Sequence, residues 1–230
     1  MWITMSDNSQ RRISIRNSKF HYVVDGTEVS TDDSDSIEVV VVNAAKVSRA
    51  YYGDAYDPNR VAVPTCWSPD TQLPDNEVPQ DQRQAMRCMD CPQNIRGSGQ
   101  YGGRACRFSQ RLAVVFGDKP DEVYQLQIPA TSIFGGDKGG NMGMQNYARL
   151  LSKHDTPIVA ITTKIYFDKD SVVPKLCFKP VDRLDADTYE TVCNMIDHPN
   201  TLRAITMTVP ITSEPVSPFS AVEGFELNAN

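Results

Sequence analysis

Apolar residues along this chain fall into short runs separated by polar breaks, and most runs carry the two-residue period of a strand. "FHYVVDGTEVS" places β-rich flanks on either side of Asp25-Gly26, the pairing that a tight hairpin turn requires. Its second arm leads through acidic residues into "SIEVVVVNAAKVSRAYYG". There Val39 to Val42 is continuous rather than alternating, which predicts a strand buried on both faces. "RLAVVFG" (111–117) predicts another strand, and after a "DKPDE" turn "VYQLQIPATSIF" predicts the next. In the latter Tyr124, Leu126 and Ile128 alternate onto one face. "GGDKGG" breaks the pattern, and "NMGMQNYARLLSKH" takes a helical period. Met144, Tyr147, Leu150 and Leu151 share its face, Asn141 is a candidate cap, and Lys153 and His154 suit the dipole at its end. "TPIVAITTKIYFD" and "PKLCFKPV" predict strands. "DADTYETVCNMIDHP" predicts a helix capped by Asp185 or Asp187 and ended by Pro199, and "RAITMTVPI" a last strand.

The order of elements lacks the βαβ rhythm of a doubly wound sheet. It predicts a mainly β, α+β chain, with an OB-fold-like antiparallel barrel as the architecture. The helix near 141–154, set between strong strands, suits the helix that barrel commonly carries. Residues 1–18 are expected to be a flexible N-terminus and 19–211 the core domain. A loop-rich insert interrupts that core at about 60–110, and the proline-rich 212–230 is expected to be a flexible tail.

The insert changes the picture. Between Gly53 and Arg111 no apolar run has strand or helix length, and a plain loop of that size is rare in a compact domain. Something other than an apolar core must order it, and it holds four of the chain's six cysteines: Cys66, Cys88, Cys91 and Cys106. A divalent zinc ion takes four soft donors in a tetrahedron, and the C-x-x-C at 88–91 supplies two from one knuckle. Cys66 and Cys106 flank it singly rather than as a second knuckle. A structural Cys₄ zinc centre is the leading expectation. A redox pair, an iron–sulfur cluster and unliganded thiols are the other readings of the same four residues. Cys177 and Cys193 sit among apolar residues and read as core thiols.

Charge is uneven. The 230-residue chain has a net charge of −6, which argues against binding nucleic acid by bulk charge. Yet 24–38 holds six acids and no base, while 82–111 holds six arginines against Asp90 alone. A hydrophobic content of 40% permits an ordinary core. No apolar run reaches the length of a membrane helix and the start lacks a signal-peptide pattern, so a cytoplasmic protein with reduced thiols and no membrane partner is expected.

Enzyme signatures are missing. His21, His154 and His198 form no constellation with a serine, cysteine or carboxylate, and "GGDKGG" lacks the ending of a phosphate-binding loop. A closed Cys₄ site has no open position for catalysis. The expectation is therefore a non-enzyme. Aromatic residues interleave with the arginines, and single strands are held by cations along the backbone and rings beneath the bases. Tyr51, Tyr52, Tyr56, Trp67, Arg96, Tyr101, Arg104, Arg107 and Arg111 are the candidate nucleic-acid-binding residues. Trp67 and Phe108 can equally pack the metal module.

The set "VVVVNAAKVSRAYYGDAYDP", "CWSPD", "CMDCPQNIRGSG", "ACRFSQRLAVV" and "IPATS", spread over roughly 37–170, resembles a group of bacteriophage single-stranded-DNA-binding, replication-associated proteins. That resemblance implies a protein that coats and protects single-stranded DNA without sequence preference during phage replication and recombination, in the cytoplasm of the infected cell. More distantly the chain is similar to the T-even phage helix-destabilising proteins, a family with an OB-fold, an internal zinc module and an acidic tail that recruits replication enzymes. It departs from them in offering four cysteines rather than three and a histidine. Its tail is also less acidic, with Glu214, Glu223 and Glu226 among Phe219 and Phe225. The resemblance thus extends the expected partners to replication or recombination proteins met through the C-terminal tail. The alternative is a zinc-containing protein-interaction or transcription-regulating module acting on a host enzyme, with the acidic 25–38 segment mimicking nucleic acid. A metal-dependent nuclease using those same acids is a further reading.

Overall fold

A computed structural model describes residues 9–53, 62–99, 102–136 and 140–209. It is mainly β, with one mixed ten-stranded sheet and four helices among the described residues. The strands are β1 (Arg11–Arg16), β2 (Lys19–Val24), β3 (Thr27–Asp32), β4 (Ser36–Ala44), β5 (Ser48–Tyr51), β6 (Cys66–Ser68), β7 (Arg107–Phe116), β8 (Lys119–Pro129), β9 (Ile161–Phe167) and β10 (Leu176–Arg183). The helices are α1 (Ala130–Ile133), α2 (Met144–Lys153), α3 (Ala186–Met195) and α4 (Pro199–Ile205). None is long and apolar enough to cross a membrane.

The sheet runs β10-β9-β4-β7-β8-β1-β2-β3, with β5 joined to both β6 and β7. This corrects the expected antiparallel barrel. β10 and β3 end the path without pairing, and β1 lies parallel to β8. The reason lies at the N-terminus. Arg11–Arg16 is strand rather than frayed chain, because Ile13 is 2% exposed in the core and the backbone pairs with β2 and β8. The sheet nevertheless curls strongly. Phe20 of β2 meets Phe167 of β9 with ring centroids 4.7 Å apart, although four strands of the path lie between theirs.

Val39 to Val42 shows why the central strand is continuously apolar. Val39 and Val41 join a core with Leu112, Leu126, Tyr147 and Phe178, covered by α1 and α2. Val40 and Val42 join a second core on the opposite face with Ala113, Val115, Val192 and Met195, covered by α3 and α4. Within the larger core, Tyr147 and Thr163 share a buried hydroxyl–hydroxyl hydrogen bond of 2.6 Å. The hairpin turn also forms as expected, with Asp25 at φ 48° and Gly26 at φ 83°, both in the left-handed region that this turn requires.

Three local expectations are corrected. "ATSI" is helix α1 rather than the end of a strand, and Ser132 Oγ there accepts the Leu176 amide at 2.8 Å, tying α1 to β10. Asn141 does not cap α2, whose N-cap is Gly143; its side chain instead donates to Asp168 and accepts from Tyr166. Residues 203–205, expected to begin the last strand, instead end helix α4, and 206–209 are not strand. Pro199 opens the helix, His198 Nδ1 accepts the Asn200 amide, and Ala204 and Ile205 pack on the second core. Asp185 does cap α3, accepting the Thr188 amide at 2.9 Å. The expected tail at 212–230 lies outside the described residues.

Candidate metal centre

Four elements bring the insert's cysteines to one place. Cys66 opens β6, whose pairing with β5 sets Cys66 opposite Tyr51 and Trp67 opposite Ala50. Cys88 and Cys91 belong to a knuckle built from two short 3-10 turns, Cys88–Asp90 and Pro92–Asn94. Pro92 begins the second turn, where its fixed φ fits and its missing amide costs nothing. Cys106 immediately precedes β7. Backbone bonds lock the pieces together: the Cys88 amide donates to Gln72 and the Cys106 amide to Gln93, each at 2.9 Å. The glycines of "RGSG" serve the same closure. Gly97 has φ +94°, and a Cβ on Gly99 would lie 2.7 Å from the Ala105 nitrogen.

All four cysteines are free, 7–8% exposed, and line one pocket with Arg49, Tyr51, Trp67 and Gln84. The space inside is about 10 Å³, room for a single atom-sized guest. As their side chains stand, no three His, Cys, Asp or Glu groups among the described residues form a finished ligand cluster. The thiols are close enough to act on one another's charge: Cys66, Cys88 and Cys91 each push the Cys106 pKa upward. Burial is the larger cause, and it lifts Cys106 to about 12. Burial raises Cys88 as well, opposed by a hydrogen bond to Ser68 and by the charge of Arg49. Burial therefore favours the protonated thiol at Cys88 and Cys106, and an ion that enters must displace those protons. Four buried, unpaired, mutually coupled thiols around an ion-sized space are a donor set that fits a soft divalent cation.

The expected nucleic-acid residues divide by burial. Arg96, Arg104 and Arg107 are exposed, as is Tyr52 at 42%. Arg104 holds the loop by donating from Nε to the Asn94 carbonyl at 2.7 Å. Two expectations are corrected. Trp67, 9% exposed, packs with Ala50, Cys66 and Val78 beneath the pocket and offers no face to a base. Arg111, 8% exposed, is enclosed beside Ser48, and burial lowers its pKa, so it is withdrawn from any phosphate. Tyr51 is half-buried against the thiol pocket. Tyr56 and Tyr101 lie outside the described residues.

Two residues escaped the sequence reading. Arg49 is buried within the pocket. Phe134, 48% exposed, meets Phe108 edge-on at 5.7 Å, and the Arg104 guanidinium lies 6.0 Å from the Phe108 ring. An aromatic placed just before "GGDKGG" was the available signal for Phe134. For Arg49 the four letters "SRAY" gave none.

No protein-family model matches the chain, and neither a curated protein nor a solved structure matches it.

Proposed function

We propose that this protein binds single-stranded DNA without catalysing a reaction. In this reading the curled mixed sheet carries a Cys₄ zinc module, and the module's exposed arginines contact phosphates. The observation that carries the reading is the exposure of Arg96, Arg104 and Arg107 on one thiol-ordered module, with the exposed Tyr52 and Phe134 on the segments that flank it. Exposed cations beside exposed rings suit a flexible strand, whose phosphates and base faces are both accessible. The zinc ion would be held by Cys66, Cys88, Cys91 and Cys106 and would order a segment that has little apolar core of its own. Coating of the strand during phage replication or recombination, with partner proteins met through the tail, is the setting we attach to this activity.

The host-enzyme alternative relied on free acids in 25–38. Several of them are matched within the chain: Glu28 by Arg16 and His21, Asp33 by Lys19, and Asp35 by Lys169. That internal matching leaves less charge to mimic nucleic acid and favours the DNA reading.

The test is a titration of fluorescent oligo(dT) followed by anisotropy at increasing salt. Binding should weaken steeply, with a slope of about 0.7 per phosphate contact for a single strand. Arg107→Glu should weaken binding at every salt concentration. An absence of binding at low salt would sink the proposal.

A further inference from the structure

The cysteine pocket contains a cation that its neutral neighbours do not explain. Arg49 is 6% exposed and lines the same pocket as the four cysteines. Its guanidinium lies 4.3 Å from the Phe108 ring centroid, and Nη1 donates to the Cys88 carbonyl at 3.1 Å. Its Nε is buried and has no hydrogen-bond acceptor. No carboxylate pairs with it among the described residues. A guanidinium stays charged when buried, so an unpaired one is costly. A ring face and a carbonyl dipole offset part of that cost but supply no counter-ion.

Four neutral thiols or a disulfide would leave Arg49 without one. Four thiolates around one divalent cation carry two net negative charges, which is the partner the buried guanidinium lacks. As the side chains stand, the pocket has room for one water-sized guest. We propose that Arg49 is the built-in counter-cation of a single-ion metal tetrathiolate centre, a positioning residue that stabilises the ionised sulfurs without touching the metal. The proposal rests on the reading of the four cysteines as a metal site. It adds a fifth residue, selected by charge, to a centre otherwise defined by its ligands. It also gives Phe108 a role as the surface on which that charge is stacked.

The test uses the full chain, stripped of metal and reloaded with Zn²⁺ against a competing chromophoric chelator. Co²⁺ loading in parallel reports the thiolate-to-metal charge-transfer band. The wild-type chain should take up one ion and protect four thiols from a thiol-reactive dye. Arg49→Gln should bind zinc about 10- to 100-fold more weakly, the range seen when an outer-shell partner of a metal site is removed. Its Co²⁺ band should move to longer wavelength, because the sulfur electrons lose a stabilising positive charge. Arg49→Lys, which keeps the charge, should recover most of the affinity and the band position. Tight zinc binding with an unmoved band in Arg49→Gln would overturn the role of Arg49, as would an Arg49→Lys chain as weak as Arg49→Gln. A wild-type chain that takes up no metal would overturn the metal reading itself, before Arg49 is altered.

Discussion

Tyr52 and Trp67 lie on paired segments of the same module, yet burial separates their tasks. Trp67 fills a small core with Val78, Met207 and Val209 around it. Trp67→Ala should cost about 3–5 kcal/mol of stability, read by chemical denaturation, because a large buried ring leaves a cavity. Tyr52, 42% exposed, has no such duty. Tyr52→Ala should leave the denaturation midpoint nearly unmoved. It should weaken oligo(dT) binding by about 1–3 kcal/mol if one base stacks on it, roughly 5- to 150-fold. The reverse pattern, a destabilised Tyr52→Ala chain with full DNA affinity, would move the binding face elsewhere. At this scale the convergence of the four cysteines on one pocket was legible, because they crowd a segment without an apolar core of strand or helix length. Arg49, Arg111 and Trp67 were not. Arginine is usually exposed, and only the pairing of β5 with β6 and β7 turns these particular side chains inward.

Among the elements, the β2–β3 hairpin and α3 could be read locally because their signals are local: Asp25-Gly26 for the turn and Asp185 for the cap. α4 could not. "AITMTV" is β-rich by composition, yet its Ala204 and Ile205 end a helix that depends on Pro199, the His198 cap and an apolar face that meets the sheet. β1 was hidden for a related reason, since the arginines at 11, 12 and 16 mask the alternation of Ile13 and Ile15. The β2–β3 hairpin also carries a pH dependence. Glu28 is lowered from an ordinary 4.5 to about 2, first by its hydrogen bond with His21 and then by that from Thr31. A carboxyl lowered on folding stabilises the folded form above its unfolded value and loses that contribution as pH falls through its folded value. Protection of the hairpin amides against hydrogen exchange should therefore decline between pH about 4.5 and about 2. Glu28→Gln should flatten that decline, whereas an unchanged profile would show that the network adds nothing to the hairpin.

For the whole molecule, alternation revealed a β-rich chain with helices but could not show which edges meet, and the expected barrel opened into a curled sheet once β1 joined β8 in parallel. The architecture separates two sources of order: apolar cores on both faces of the sheet, and the cysteine pocket at its end. If the pocket holds the proposed metal, a chelator should expose 66–106 to protease, while the sheet keeps a cooperative thermal transition. Simultaneous loss of both would mean that the insert supports the core as well as itself. The small core under the pocket is completed by Met207 and Val209, at the far end of the described chain. During synthesis Cys106 emerges roughly a hundred residues ahead of them, and at 5–20 residues per second that interval is on the order of 5–20 seconds. Throughout that interval the thiols lack the core that later closes beneath them, so the nascent chain is the form in which they are most open to reaction.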